Sequence, residues 1–311
     1  MKILITGATG YIGGSVAQRL VGAGHAVIGL TRRVDKAAPL RALGVEPAMG
    51  SLDDSRLLAS LAKSADAVVN AANSDHSGAV DALIGALEGT GKLLLHTSGS
   101  SIVGDNAQGE LREAVFDEDT RFEPAPEKAA RVAIDRRVLR AAEHGVRSVV
   151  LCNSLIYGRG LGLHPSSIQI PSLVDQARKS GVVRYVGPGL NVWSTVHIED
   201  VADLYLRAIE GARAGSFYYV ENGEASFKDM AAAIAAALGL GPAQSWSIEE
   251  AIACWGVQRA VFSLGSNSRV RADRARRELG WAPRHCSVLD WIRKDLTTAA
   301  DKAPPVHHTG S

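Results

Sequence analysis

The sequence predicts an α/β protein: a doubly wound parallel sheet followed by a smaller C-terminal lobe. Two observations carry the prediction. Short β-branched or leucine-rich runs alternate with longer helical patterns through the first half of the chain. At the first strand-to-helix turn, glycines stand three apart at Gly7, Gly10 and Gly13.

The strands are read at Ile3–Ile5, Ala26–Leu30, Val45–Ala48, Ala67–Asn70, Leu93–His96 and Val146–Leu151. Most are too continuously apolar for a half-exposed sheet, as expected of strands covered on both faces. Helices are read between them at Tyr11–Ala23, Asp35–Leu43, Asp53–Ser64, Asp75–Leu87 and Glu127–His144, several opened by Asp and closed near Gly. Right-handed crossovers then wind the sheet on both faces.

After residue 158 the pattern loosens into a Gly-rich turn (Gly158, Gly160, Gly162), a helix near Ser172–Ser180, a strand near Ser194–Val196 and a helix over Glu199–Glu210. Ser226 with Asp229, and Ser247 with Glu250, have capping-box spacing and open further helices. The expected division is a nucleotide-binding domain over 1–158, a lobe over 159–302 whose segments around 194–210 return to the first domain, and a flexible tail over 303–311. His307 and His308 in that tail lack the further ligands a metal site needs.

Composition bounds the partners. Lys plus Arg number 34 against 33 Asp plus Glu, so no field favours nucleic acid or an anionic membrane. Cys152, Cys254 and Cys286 are odd in number and form no C-x-x-C pair, which argues against a disulfide framework or structural zinc. With no signal-like or membrane-length apolar run, a cytoplasmic protein with a small-molecule substrate and no metal is expected.

Thr6-Gly7-Ala8-Thr9-Gly10-Tyr11-Ile12-Gly13 follows a strand and opens a helix. The first glycine permits the tight turn, the second lets backbone approach a pyrophosphate, and the third lets helix and strand pack closely. The helix N-terminus then faces negative charge. This predicts a Rossmann domain binding a dinucleotide through Gly7, Thr9, Gly10, Tyr11, Ile12 and Gly13. The second strand leads into Arg32 and Arg33, where NAD binders usually carry an acidic residue for the ribose. Guanidiniums suit a 2′-phosphate, so NADP(H) is preferred, with NAD(H) possible.

With that loop in place, the chain resembles the extended short-chain dehydrogenase/reductases, the NAD-dependent epimerase/dehydratase group. The resemblance rests on Thr6 to Gly13, Asp66-Ala67-Val68-Val69-Asn70-Ala71-Ala72, His96-Thr97-Ser98-Gly99, Leu155-Ile156-Tyr157-Gly158, Val196-His197-Ile198-Glu199-Asp200-Val201-Ala202 and Glu278-Leu279-Gly280-Trp281-Ala282-Pro283. It implies a cofactor laid across the strand ends, with Ala71, Ala72 and Asn73 beside it and Asn153, Ser154 and Leu155 near the nicotinamide. It implies a substrate pocket among Asn73, Asp75, His76, Tyr157, Trp193 and His197, and pairing of two copies through the helices Asp75–Leu87 and Glu127–His144.

The family's usual Tyr-x-x-x-Lys is absent. The six tyrosines are followed at the fourth place by Ser15, Leu161, Gly189, Ile209, Asn222 and Gly223. In the resemblance, the Tyr and Lys places fall on Glu127 and Arg131, with Asp135 at a frequent acidic position. A one-residue shift brings Lys128 into play. Arg131 can bind ribose hydroxyls but does not readily give up a proton. Ser98 is the candidate for orienting substrate, although the spacing to Gly104 sets Gly99 where the family's hydroxyl stands. Glu127, Tyr157 or water is the candidate proton source. The expected activity is hydride transfer between nicotinamide and a small carbonyl or alcohol. Alternatives are a cofactor-binding regulator without turnover, and an epimerase or dehydratase that recycles its cofactor.

Overall fold

The computed structural model describes residues 1–300, and side chains through Leu296. The tail from 303, with His307 and His308, lies outside the described residues.

In chain order the elements begin with β1 (Lys2–Thr6), α1 (Tyr11–Gly22), β2 (Ala26–Thr31), α2 (Ala37–Ala42), β3 (Val45–Met49), α3 (Ser55–Ser64), β4 (Ala67–Asn70), α4 (Ser77–Leu87) and β5 (Leu93–Gly99). A long connection leads to α5 (Pro126–Arg140), β6 (Arg147–Asn153) and β7 (Leu155–Tyr157). Then follow α6 (Gln169–Ser180), β8 (Arg184–Val186), β9 (Val192–His197), α7 (Ile198–Gly211), β10 (Ser216–Val220), β11 (Glu224–Ser226), α8 (Phe227–Ala237) and β12 (Gln244–Trp246). The chain closes through α9 (Ile248–Trp255), α10 (Val257–Arg259), a π-helical turn Ala260–Leu264, α11 (Asp273–Leu279) and α12 (Val288–Ala300).

Seven strands form one parallel sheet in the order β10-β6-β5-β4-β1-β2-β3. The chain runs outward from β1 through β2 and β3, then starts again at β4 on the other side. That reversal opens a crevice at the carboxyl ends of β1 and β4. Strand β4 is buried along its whole length and β1 from its second residue, because α1 and α7 cover one face while α3 and α4 cover the other. This double covering explains their unbroken apolar sequence.

Local capping chemistry sets several helix starts. Asp54 caps α3 through its carboxylate, which accepts from the Leu57 N–H. Ser226 caps α8, and Ser247 with Glu250 forms a reciprocal capping box on α9. At α4 the cap is His76, whose Nδ1 accepts from the Ala79 N–H at 3.0 Å, so the helix starts two residues after Asp75.

The second lobe has its own core of Leu155, Tyr157, Leu173, Trp193, Phe227 and their neighbours, built on the three-stranded sheet β11-β9-β7. Strand β9 belongs to this small sheet, and α7 after it packs against α1. Residues 216–220 return to the large sheet as β10, a strand the sequence pattern did not single out. The β5–α5 connection is tied to the end of the chain by the Phe116–Val270 bridge and by Asp105, which accepts from the Asn267 N–H at 2.8 Å. Among the described residues, no helix is long and apolar enough to cross a membrane.

Candidate active site

The crevice is lined first by the glycine loop. Gly7 adopts φ +76°, and a Cβ placed there would stand 2.7 Å from the Ala71 carbonyl oxygen. A side chain at Gly13 would collide with the Gly7 carbonyl. Helix α1 starts from Gly10 with no side-chain cap. Its first-turn N–H groups therefore face the crevice without a protein side chain to satisfy them, which fits a pyrophosphate. Beneath the loop, the Thr6 hydroxyl donates to Asn70 Oδ1 at 2.6 Å and accepts from the Ala71 N–H at 3.2 Å, joining β1 to β4 at the switch point. Tyr11 donates its hydroxyl to the Gly158 carbonyl at 2.8 Å, and the Leu161 N–H donates to Ser15 Oγ at 3.0 Å. The Gly-rich turn of the second lobe is thereby seated on the start of α1. Thr9 and Ile12 are half-buried in the same loop.

Arg32 and Arg33 follow β2 and are exposed. Arg33 places its fork on Asp35 at 3.0 and 2.6 Å, with the two side chains 61% and 58% exposed. An ion pair so open to water is weak and exchangeable. Arg32 forms no hydrogen bond or ion pair among the described residues and stands in the field of Asp53.

Helix α5 supplies the opposite wall. Arg131 donates from Nε and Nη2 to the two Asp75 oxygens at 2.8 and 2.5 Å, and from Nη1 to Ser101 Oγ at 3.3 Å. This fork holds the Asp75 carboxyl below the usual carboxylate range. A Cβ on Gly99 would be 3.6 Å from Arg131 Nη1. The glycine at the end of β5 therefore opens directly onto the guanidinium. Glu127 is exposed and engages no side chain by hydrogen bond or ion pair among the described residues. Its neighbour Lys128 is half-buried, with its ammonium 5.7 Å from the centre of the Phe262 ring in the second lobe.

Behind this wall lies a buried polar chain. Ser98 is 3% exposed and donates its hydroxyl to Asp135 Oδ2 at 2.6 Å. The other Asp135 oxygen lies 3.6 Å from His96 Nε2, and neither atom has a hydrogen-bond partner. His96 Nδ1 meets the Asn70 amide at 3.1 Å. Burial raises the Asp135 carboxyl to about 7 and lowers the His96 imidazolium to about 4. The Ser98 hydroxyl is thus buried against α5, one helical turn after Arg131. The serine expected to orient substrate is committed to Asp135 instead.

Several other expectations are corrected by the packing. Tyr157, expected as a proton source, is 1% exposed and donates its hydroxyl to the His285 carbonyl at 3.0 Å. Trp193, expected at the substrate, is buried and donates Nε1–H to the Ser266 carbonyl. His197 is buried, accepts the Glu199 N–H as the cap of α7, and stacks on His285 with ring centres 3.9 Å apart. Glu199 completes a cluster of possible metal ligands with these two histidines. The rings lie within 26° of parallel, so their in-plane lone pairs do not converge on one ion.

Asn153 and Ser154 turn their side chains inward, onto Tyr205 and the Val220 carbonyl, and Leu155 sits in the second-lobe core. Apart from Asn153 Oδ1, which is buried without a partner, only their backbone is left for a nicotinamide. His76 is a helix cap that also bonds Asp53 at 3.0 Å. Ala72 and Asn73 are exposed at the crevice rim beside Gly7, with Ala71 below them. Residue spacing did not point to Ser101, which meets Arg131 across thirty residues, or to Phe262, which reaches the site only when the two lobes meet.

Comparison with known proteins agrees with this fold. The family model described as the NAD dependent epimerase/dehydratase family matches residues 3–220. The chain is 34% identical over 328 residues to the oxidase ucsJ of an Acremonium species, covering 91% of this chain and 92% of that one. It is 29% identical over 250 residues to the 2-alkyl-3-oxoalkanoate reductase of Stenotrophomonas maltophilia, covering 72% and 71%. The fold superposes on the dTDP-glucose 4,6-dehydratase of Bacillus anthracis, solved with NAD, at TM-score 0.76 with 19% identity and 97% of each chain covered. The chain thus belongs to the NAD-dependent epimerase/dehydratase family of extended short-chain dehydrogenase/reductases, as an NAD(P)-dependent oxidoreductase-type enzyme that lacks the family's Tyr-x-x-x-Lys.

Proposed function

We propose that the protein is an NADP(H)-dependent reductase of a small organic carbonyl compound. The observation that carries the reading is the uncapped glycine loop with two exposed guanidiniums, Arg32 and Arg33, at the end of the adjoining strand. The loop accommodates a pyrophosphate. The arginines offer a 2′-phosphate the bidentate, charge-assisted bonds that an acidic residue there would refuse. The Arg33–Asp35 pair is exposed enough to exchange for the phosphate.

When bound, the nicotinamide supplies the hydride. Arg131, a fixed cation that Asp75 aims, would hold the ribose hydroxyls from α5. The reductase name of the Stenotrophomonas relative favours a carbonyl beside a second oxygen function, as in a 3-oxo acid or ester.

The test is a fluorescence titration with NADPH and NADH, followed by oxidation of the bound cofactor with aldehydes, ketones, 3-oxo acids and 3-oxo esters. Preferred NADPH binding with oxidation by one class supports the reading. Preference for NADH removes the phosphate assignment. The absent dyad favours a second reading, a regulator that binds cofactor without turnover. Binding with no oxidation by any compound supports it.

A further inference from the structure

A reduction without the family's tyrosine needs another acid, and the packing eliminates most candidates. Tyr157 is sealed in the second-lobe core. Ser98 and Asp135 bond each other behind β5. Arg131 is held by Asp75 and does not lose its proton near neutral pH. Glu127 stands in open solvent, where nothing aims its carboxyl at the crevice.

Lys128 differs from all of these. It lies in the first turn of α5, one residue from the tyrosine's usual place, in the cleft where α5 meets the π-helical turn Ala260–Leu264. Its ammonium faces the Phe262 ring across that cleft and has no hydrogen bond or carboxylate partner among the described residues. The charged groups around it are Arg131, Asp75 and Glu127, and Asp75 is already paired with Arg131. A cation in the first turn of a helix also opposes the helix dipole. These surroundings disfavour the protonated form. Burial, and then Arg131, pull the ammonium below the usual lysine range.

We propose that Lys128 is the catalytic acid of this enzyme, giving its Nζ proton to the substrate oxygen. The inference rests on the reductase reading above. In the step, the carbonyl carbon takes the hydride and its electron pair from the reduced nicotinamide. The C=O π pair moves onto oxygen, oxygen takes a proton from Nζ, and the neutral amine regains a proton from water. The Phe262 ring stands 5.7 Å from the ammonium, a contact weak enough to let the proton leave.

The experiment compares wild type, Lys128→Gln and Lys128→Arg for NADPH binding by fluorescence and for turnover of the carbonyl compound that wild type reduces best, across pH 6 to 10. Competitive acetylation followed by peptide mass spectrometry reads the titration of Lys128 itself. Expected are intact NADPH binding in both variants and turnover lower by about 100-fold in both, because arginine keeps the charge but not the labile proton. The wild-type rate should fall at high pH with the midpoint that acetylation assigns to Lys128, below the usual lysine range. Small primary amines should restore turnover to Lys128→Ala. Full activity in Lys128→Arg or Lys128→Gln overturns the assignment while the reductase reading stands. A wild-type chain that binds NADPH and turns nothing over overturns both.

Discussion

The Ser98 hydroxyl and the Asp135 carboxylate are joined at 2.6 Å inside the protein, between β5 and α5, with neutral His96 on the far side of the carboxyl. This contact ties the strand that carries Gly99 to the helix that carries Lys128 and Arg131, so it sets the spacing of the crevice walls.

The two buried groups titrate in opposite senses. Asp135 rises from 3.8 to about 7, so its share of stability is present below about pH 4 and is lost as pH climbs toward 7. His96 falls from 6.5 to about 4, so its share is lost as pH drops from 6.5 toward 4. In wild type the two trends offset one another. Asp135→Asn removes the first, and its unfolding free energy should rise from pH 4 to 6.5 and then level. The gap from wild type should widen as pH rises, by roughly 1.4 kcal/mol for each pH unit climbed between the unfolded and folded midpoints of Asp135. Urea unfolding at pH 4.5, 6 and 7.5 measures this, and parallel curves would sink the account.

Arg131 is expected to serve cofactor binding. Replacing it by Ala should weaken NADPH binding by about tenfold, the loss of one or two charge-assisted hydrogen bonds. Lys in its place should recover part of that affinity. Asp75→Asn should weaken binding less, since it only loosens the aim of the fork. Unchanged affinity in Arg131→Ala would exclude the ribose contact.

Changing Arg32 and Arg33 together to Ser should cost NADPH at least about tenfold in affinity and leave NADH nearly untouched, through loss of charge-assisted phosphate contacts. Asp35→Asn frees Arg33 and should strengthen NADPH binding slightly, with the gain shrinking at high salt. A ratio of the two affinities that stays constant in the double variant would reject the phosphate site.

Gly7→Ala meets both a positive φ and a backbone oxygen 2.7 Å from the new Cβ. It should lower stability by roughly 1–3 kcal/mol and abolish cofactor binding, because backbone cannot yield as a side-chain tip can. Thermal unfolding and fluorescence titration read the two effects separately. Normal binding by a folded variant would refute the close-packed loop.

Tyr157→Phe removes a buried hydrogen bond to the His285 carbonyl and nothing from the crevice. The expected loss is about 1 kcal/mol of stability with unchanged kcat/KM. A specific fall in kcat would return Tyr157 to the chemistry.

The alternation of strands and helices, the glycine loop, the cations after β2 and the absence of a Tyr-x-x-x-Lys are all legible in the order of residues. These are properties of local spacing, and Gly7, Gly10 and Gly13 act within one strand-turn-helix unit. The caps at Ser226 and Ser247 are legible for the same reason, because a cap is satisfied within three residues.

Which polar side chains face the crevice is fixed by packing between distant segments. Ser98 and Gly99 are neighbours in sequence, yet one is bonded to buried Asp135 and the other opens onto Arg131 one turn earlier on α5. Tyr157, Trp193 and His197 resemble site residues in sequence and are core residues in space, since the second lobe buries them against α8, α12 and His285. Strand β10 pairs with β6 across more than sixty residues, and Phe262 reaches Lys128 from the far end of the chain. Such contacts depend on where remote parts of the chain meet, which no local period encodes.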